Sequence, residues 1–250
     1  MAEKKEKKKT NQKTKIILGV IAIIVIVAIV GIAGFINYHK KQVELLNQEA
    51  EKILNIQITN SDGSINKDAQ IDMEIKTKGS YSVVEETLKQ YLNEVLTLAK
   101  EAENVYSEGE IENALAIENI KEDGPEFTKT KENIANMKQK SEDYINKFLT
   151  LCDTNNLLSA IDDKPVSDYY KEIYRRLAVD EETEKSLEDT KKQMEEARIT
   201  INGAFDYLTS VVQFLSDNKA SWMVQGDQIM FKSQSALDEF NKLLDEAPEM

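Results

Sequence analysis

Acid–base and nucleophilic chemistry near neutral pH draws most often on histidine, and the chain has one, His39. A Cys-His nucleophile would need to join it to Cys152, the single cysteine, and a Ser-His-Asp triad would need the same imidazole. His39 instead sits between Tyr38 and Lys40-Lys41, directly after an apolar run, and reads as an interfacial side chain. Cys152 closes an apolar helical face and reads as a small core residue. No residue is assigned a catalytic role, and the chain reads as a non-enzyme. Metal chemistry has little to draw on, because the Glu-x-x-His pattern of metal-binding helical bundles is absent. If Gly63 were the sixth residue of a calcium loop, Asn60, Asp62 and Ile65 would fit it. Positions one and twelve would then be Ile58 and Ala69, where carboxylates are needed, so the stretch reads as a turn. Asp162-Asp163 and Asp180-Glu181-Glu182 read as solvated faces or as charge at helix N-termini. No glycine-rich phosphate loop occurs, and no cofactor or metal is expected. One aromatic-basic cluster remains: Tyr169, Tyr170, Tyr174, Arg175 and Arg176. Within it Val166, Tyr170, Ile173 and Leu177 form a core face, while Glu172 can pair with Arg176 one helical turn on. Tyr169, Tyr174, Arg175, Arg176 and the lone Trp222 are the candidate ligand or partner contacts.

The elements that position these residues are helices. Three Pro and nine Gly in 250 residues, with 31% charge, favour long helices over a loop-rich β fold. After Ser80 and Ser82, which suit a helix start, Val84, Leu88, Tyr91, Val95, Leu98, Ala102 and Val105 step by four and three. Phe127, Ile134, Met137, Tyr144, Phe148 and Leu151 keep that register, with Thr130 and Ser141 in its gaps and Gly124-Pro125 ahead of it. Leu187, Met194, Ile201, Leu208 and Leu215 recur every seven residues beside a row of Thr190, Ala197, Ala204 and Val211. Such seams suit helices crossing at about 20°, and the smaller row lets a neighbour approach closely. Shorter helices are expected over 111–120, 155–161 and 166–177. Residues 222–224 and 229–231 flank Gln225-Gly226-Asp227-Gln228 as a hairpin, and 233–245 reads as a closing helix. Earlier, Ile56 and Ile58, then Ile71, Met73 and Ile75, alternate on either side of a turn cluster and predict a short hairpin or an extended linker.

One further element is apolar throughout. Residues 16–36, from Ile16 to Ile36, hold nine Ile, four Val, one Leu, one Phe, three Ala and three Gly, with no polar side chain. As a helix the run spans roughly 30 Å, the thickness of a bilayer's hydrocarbon core. Its large apolar residues sum to roughly −5 to −9 kcal/mol of insertion free energy. Seven lysines against two glutamates precede it, so the positive-inside rule places the N-terminus in the cytoplasm and the rest of the chain outside. The run continues past the small-x-small site Gly31-Ile32-Ala33 and exceeds a signal peptide's apolar region, so it reads as an uncleaved signal-anchor. It contains no small-xxx-small pair that would favour helix dimerisation.

Charge divides at this run. The 15 residues before it carry +5, whereas the chain after it holds 25 basic and 43 acidic residues, a net −18. An acidic balance of that size disfavours nucleic acid as a partner, since phosphate binding needs a basic face. A single cysteine excludes an intrachain disulfide, so stability must come from packing.

These features give a mainly α fold class: an N-terminal transmembrane helix followed by an antiparallel helical bundle with minor β hairpins. The division is 1–15 cytoplasmic basic tail, 16–36 transmembrane helix, 37–79 juxtamembrane helix and extended linker or hairpin, and 80–250 extracytoplasmic bundle. The lysine-rich tail, the Ile/Val span and the ending Trp222…Gly226-Asp227-Gln228-Ile229-Met230-Phe231…Phe240-Asn241-Lys242-Leu243-Leu244 resemble those of single-span, helix-rich surface proteins of Gram-positive bacteria. That resemblance implies a location in the cell membrane rather than an activity. The expected role is binding of a protein or envelope component by a membrane-tethered module, with binding of a small ligand as the alternative.

Overall fold

The computed structural model describes residues 41–58, 60, 65–107, 113–179 and 181–246. The basic tail, the apolar run 16–36, His39 and 61–64 of the turn cluster lie outside these residues. Among the described residues no helix is long and apolar enough to cross a membrane. The protein is mainly helical. Its described elements are α1 (Gln42–Leu54), α2 (Ser80–Ser107), α3 (Ile117–Asp123), α4 (Thr128–Leu151), α5 (Thr154–Ser159), α6 (Asp168–Ala178), α7 (Glu181–Asp217), β1 (Trp222–Gln225), β2 (Gln228–Phe231) and α8 (Gln234–Asp245). They divide between two compact units that interleave along the chain: 41–104 with 144–195, and 105–143 with 196–246.

In the first unit the expected seam of α2 is present, with Val84, Leu88, Val95, Leu98 and Ala102 buried. Leu92, Leu96 and Ala99 are buried as well, so α2 is covered on more than its seam face. Cover comes in part from the chain before it. Leu46 and Ile53 of α1 are buried, as are Ile58, Ile65, Ala69 and Ile71 of the segment leading to α2. Among its described residues this segment has an isolated bridge at Ile65 and a turn at 67–68: Asn66 donates its backbone N–H to Ile58 O at 2.8 Å and its side-chain amide to Gln57 O at 2.8 Å. Lys100 of α2 then donates to Ala69 O at 2.6 Å. At the other end of the unit Asp153 caps α5, accepting from the N–H of Asn155 at 2.8 Å. Cys152 is buried, and burial pushes its thiol up to about 12.

In the second unit the α4 seam sets the core, where Phe127 and Ile134 pack with Phe205, Val212 and Leu215 of α7 and with Trp222. Thr130 and Ser141, the polar residues in the gaps of that seam, are buried too. Asp123 supplies the start signal of α4, accepting from Thr130 N at 2.7 Å and Lys129 N at 3.3 Å. The preceding helix starts later than its pattern predicts: α3 opens at Ile117, because Ala116 is extended at φ −67°, ψ 142°. Ala114, in a turn ahead of that break, is buried in the core. The C-terminal hairpin forms where the pattern predicts, with Trp222 opposite Phe231, Met223 opposite Met230, Val224 opposite Ile229 and Gln225 opposite Gln228. Gly226 takes φ +62° in the two-residue turn, a conformation that favours glycine. The period-two pattern sorts the faces: Trp222, Val224, Ile229 and Phe231 belong to the core cluster, whereas Met223 and Met230 are exposed. Phe240 of α8 closes over this face, 5.0 Å from Phe231 and 5.8 Å from Phe214.

Candidate functional site

The aromatic-basic cluster falls on α6 and is sorted by the helix into core and surface. Tyr174 is fully buried and donates its hydroxyl to Leu157 O at 2.9 Å; burial raises its phenol well above the usual tyrosine value. It is a core residue with no face for a ligand. Tyr169 is 50% exposed, edge-on to Tyr170 at 5.1 Å, and Tyr170 is edge-on to Tyr81 at 5.1 Å. Burial, with Tyr169 beside it, pushes the Tyr81 phenol up to about 12. Arg175 pairs with Asp162, and Arg176 pairs with Glu172 at 2.7 Å, the i,i+4 contact expected from spacing. What α6 presents is an aromatic ridge with its arginines held by carboxylates. Trp222, the fifth candidate, belongs to the other unit.

A second constellation escapes sequence reasoning. Lys89 of α2 is 1% exposed, and its ammonium donates to Glu49 of α1 at 2.6 Å, to Glu85 at 2.8 Å and to Glu74 O at 2.8 Å. Glu85 is itself buried and also accepts from the N–H and hydroxyl of Thr77, at 2.8 and 2.7 Å. Burial opposes each of these charges. The short hydrogen bonds outweigh it, holding Glu49 and Glu85 below the usual carboxylate range and Lys89 above the usual lysine value. Perturbed groups often mark function, but these are sealed from solvent, so the cluster acts as a clamp between α1 and α2. In sequence Glu85 and Lys89 resemble an ordinary surface i,i+4 pair. Glu49, distant in the chain, and Thr77, just ahead of α2, turn that pair into an interior one.

The third place is an open depression of about 330 Å³ in the second unit, lined by Ile120 and Lys121 of α3, Gly124, Pro125, Lys219, and Trp222 and Val224 of β1. Its floor is built stiffly. Trp222 donates its indole N–H to Leu215 O at 2.7 Å and stacks on Phe127 with ring centres 6.1 Å apart. Phe127 has φ 55°, a left-handed conformation that costs about 1–3 kcal/mol and that its fully buried ring holds in place. Gly124 lines the wall where a side chain would not fit, because a Cβ there would lie 2.4 Å from Ile120 O. The rim is cationic. Lys121 reaches Asp227 at 3.4 Å and Lys219 reaches Glu126 at 3.1 Å, both exposed pairs of the kind worth about 0.2–1 kcal/mol. The volume lies near the lower bound of roughly 300 Å³ for small-molecule sites, and the depression is open rather than enclosed. Among the described residues no group of three or more His, Cys, Asp or Glu side chains could hold a metal ion. Compared with protein families, with curated proteins and with solved structures, the chain matches none.

Proposed function

We propose that this chain is a membrane-tethered, non-catalytic binding module. Residues 16–36 span the cell membrane once with the N-terminus cytoplasmic, and an extracytoplasmic helical part of antiparallel-bundle plan captures a protein or cell-envelope component. The observation that carries the binding role is the open depression beside Trp222, an apolar floor with a lysine rim, in a hairpin whose other face exposes Met223 and Met230. Exposed apolar side chains rimmed by polar ones mark interaction sites, and methionine adapts readily to a partner's shape. A photo-crosslinking amino acid at Met223 in intact cells should capture a discrete partner, whereas the same group at Glu239 on α8 should not. Equal, diffuse labelling from both positions would count against the reading. External protease should digest the chain after residue 36 in intact cells, and full protection would overturn the topology. A second reading, a small-ligand site, draws on the volume of the depression. A compound that raises the melting temperature of the full chain by mass action, with no protein captured at Met223, would favour it.

A further inference from the structure

The depression beside Trp222 carries information about its occupant in both its charge and its shape. Two lysines line it and no carboxylate-bearing residue does, in a chain with 45 acidic and 32 basic residues. Lys121 and Lys219 are held by Asp227 and Glu126, and their side chains remain 45% and 57% exposed. Pairs so open to water exchange readily for carboxylates brought by a partner.

Shape follows from the strand at its edge. Among the described residues β1 pairs with β2 alone. In a hairpin closed by two residues the pair next to the turn is hydrogen-bonded, and bonded pairs alternate with unbonded ones along the ladder. Gln225 and Gln228 are the pair next to the turn, which makes Met223 and Met230 bonded partners also. Lys232 donating to Ser221 O at 2.8 Å continues the same alternation. Trp222 and Val224 therefore turn their backbone N–H and C=O groups away from β2, and these same two residues line the depression. An outward row of main-chain donors and acceptors is met by another extended main chain. A small apolar molecule would leave that row and the lysines unused, and a lipid headgroup would use only the lysines.

We propose, building on the binding role above, that the depression takes an extended acidic peptide segment of a partner protein. Its main chain pairs along β1, one apolar side chain rests on Trp222, and flanking Asp or Glu side chains replace Asp227 on Lys121 and Glu126 on Lys219. Trp222 is the only tryptophan in the chain, so its emission reports occupancy directly.

The test uses the full chain in detergent micelles, challenged with a random-peptide display library. Enriched peptides should carry an apolar residue flanked by Asp or Glu, and a synthetic copy should shift Trp222 emission. Lys121→Glu with Lys219→Glu should weaken that peptide at least tenfold, while Lys185→Glu on α7 leaves it unchanged; circular dichroism verifies that each variant is folded. N-methylation of alternate peptide bonds should abolish binding in one register only. Enrichment of basic peptides, indifference to the charge reversals, or a Trp222 response to phosphatidylglycerol vesicles but to no peptide would overturn the proposal. A partner captured at Met223 despite a failed selection overturns only the chemistry of the occupant; loss of both overturns the binding role as well.

Discussion

Replacing Lys89 by methionine should be among the most destabilising single changes available in the first unit. Methionine keeps most of the lysine's length and apolar stem but removes the ammonium that three acceptors share at 2.6, 2.8 and 2.8 Å. Glu49 and Glu85, 4% and 1% exposed, would then be two like charges in the interior, Glu85 without its cation and Glu49 with only the exposed Lys52 at 2.5 Å. Breaking a buried pair from one side costs about 3–5 kcal/mol, because the remaining charge has lost its compensation. For a chain of this size that is a fall of roughly 6–20 °C in melting temperature. Urea unfolding at neutral pH, followed by circular dichroism, measures the loss. A companion variant sharpens the reasoning: Glu49→Leu and Glu85→Gln combined with Lys89→Met should lose less than Lys89→Met alone. It removes the stranded charges while leaving Thr77 an acceptor. A loss below about 1 kcal/mol for Lys89→Met would falsify the claim that the ammonium compensates interior charge, since that is the range of an exposed pair.

Other expectations follow from the same geometry. Glu49 and Glu85 have depressed values in the folded protein, so the stability they contribute is present above the ordinary carboxylate range and lost as pH falls through the folded values. Urea midpoints should therefore drop steeply below about pH 4, and Glu49→Gln with Glu85→Gln should flatten that slope. Gly124→Ala should cost about 1–3 kcal/mol in a thermal melt, because its Cβ would meet Ile120 O at 2.4 Å; an unchanged melt would contradict the close approach. Asp123→Ala removes the acceptor for Thr130 N at 2.7 Å and should cost about 1 kcal/mol, read from denaturant unfolding. Cys152, buried with its thiol raised to about 12, should resist a thiol reagent at pH 8 until urea unfolds the chain; fast labelling of the native protein would refute its burial.

Much of this fold is legible from spacing. The seams of α2, α4 and α7 are, and so is the C-terminal hairpin, because Gly226-Asp227 between alternating apolar residues leaves little choice of register. Even Thr130 and Ser141 can be placed, since a seam carries its gaps into the core with it. The pattern misses where an interaction distant in the chain decides. Glu85 and Lys89 are charged residues at the head of a second row of α2, continued by Leu92, Leu96 and Ala99, and cover from α1 and the segment before α2 makes them interior. By spacing Tyr174 reads as a contact because it adjoins two arginines, yet helix geometry turns it to the core while Arg175 and Arg176 remain outside. The depression could not be read at all beyond Trp222. Its walls come from two stretches of chain, 120–125 and 219–224, and nothing in Ile120, Pro125 or Lys219 singly signals that they meet.

The interleaving of the two units also constrains how the protein can be made. Residues 41–104 lack their partners in 144–195, and 105–143 lack theirs in 196–246, until those segments have left the ribosome. Translation proceeds at roughly 5 to 20 residues per second, so the apolar faces of α1 and α2 wait several seconds for cover. Neither unit is completed while the first half of the chain is alone. A nascent chain stalled near its midpoint thus presents unpaired seams, a state suited to holding by a chaperone.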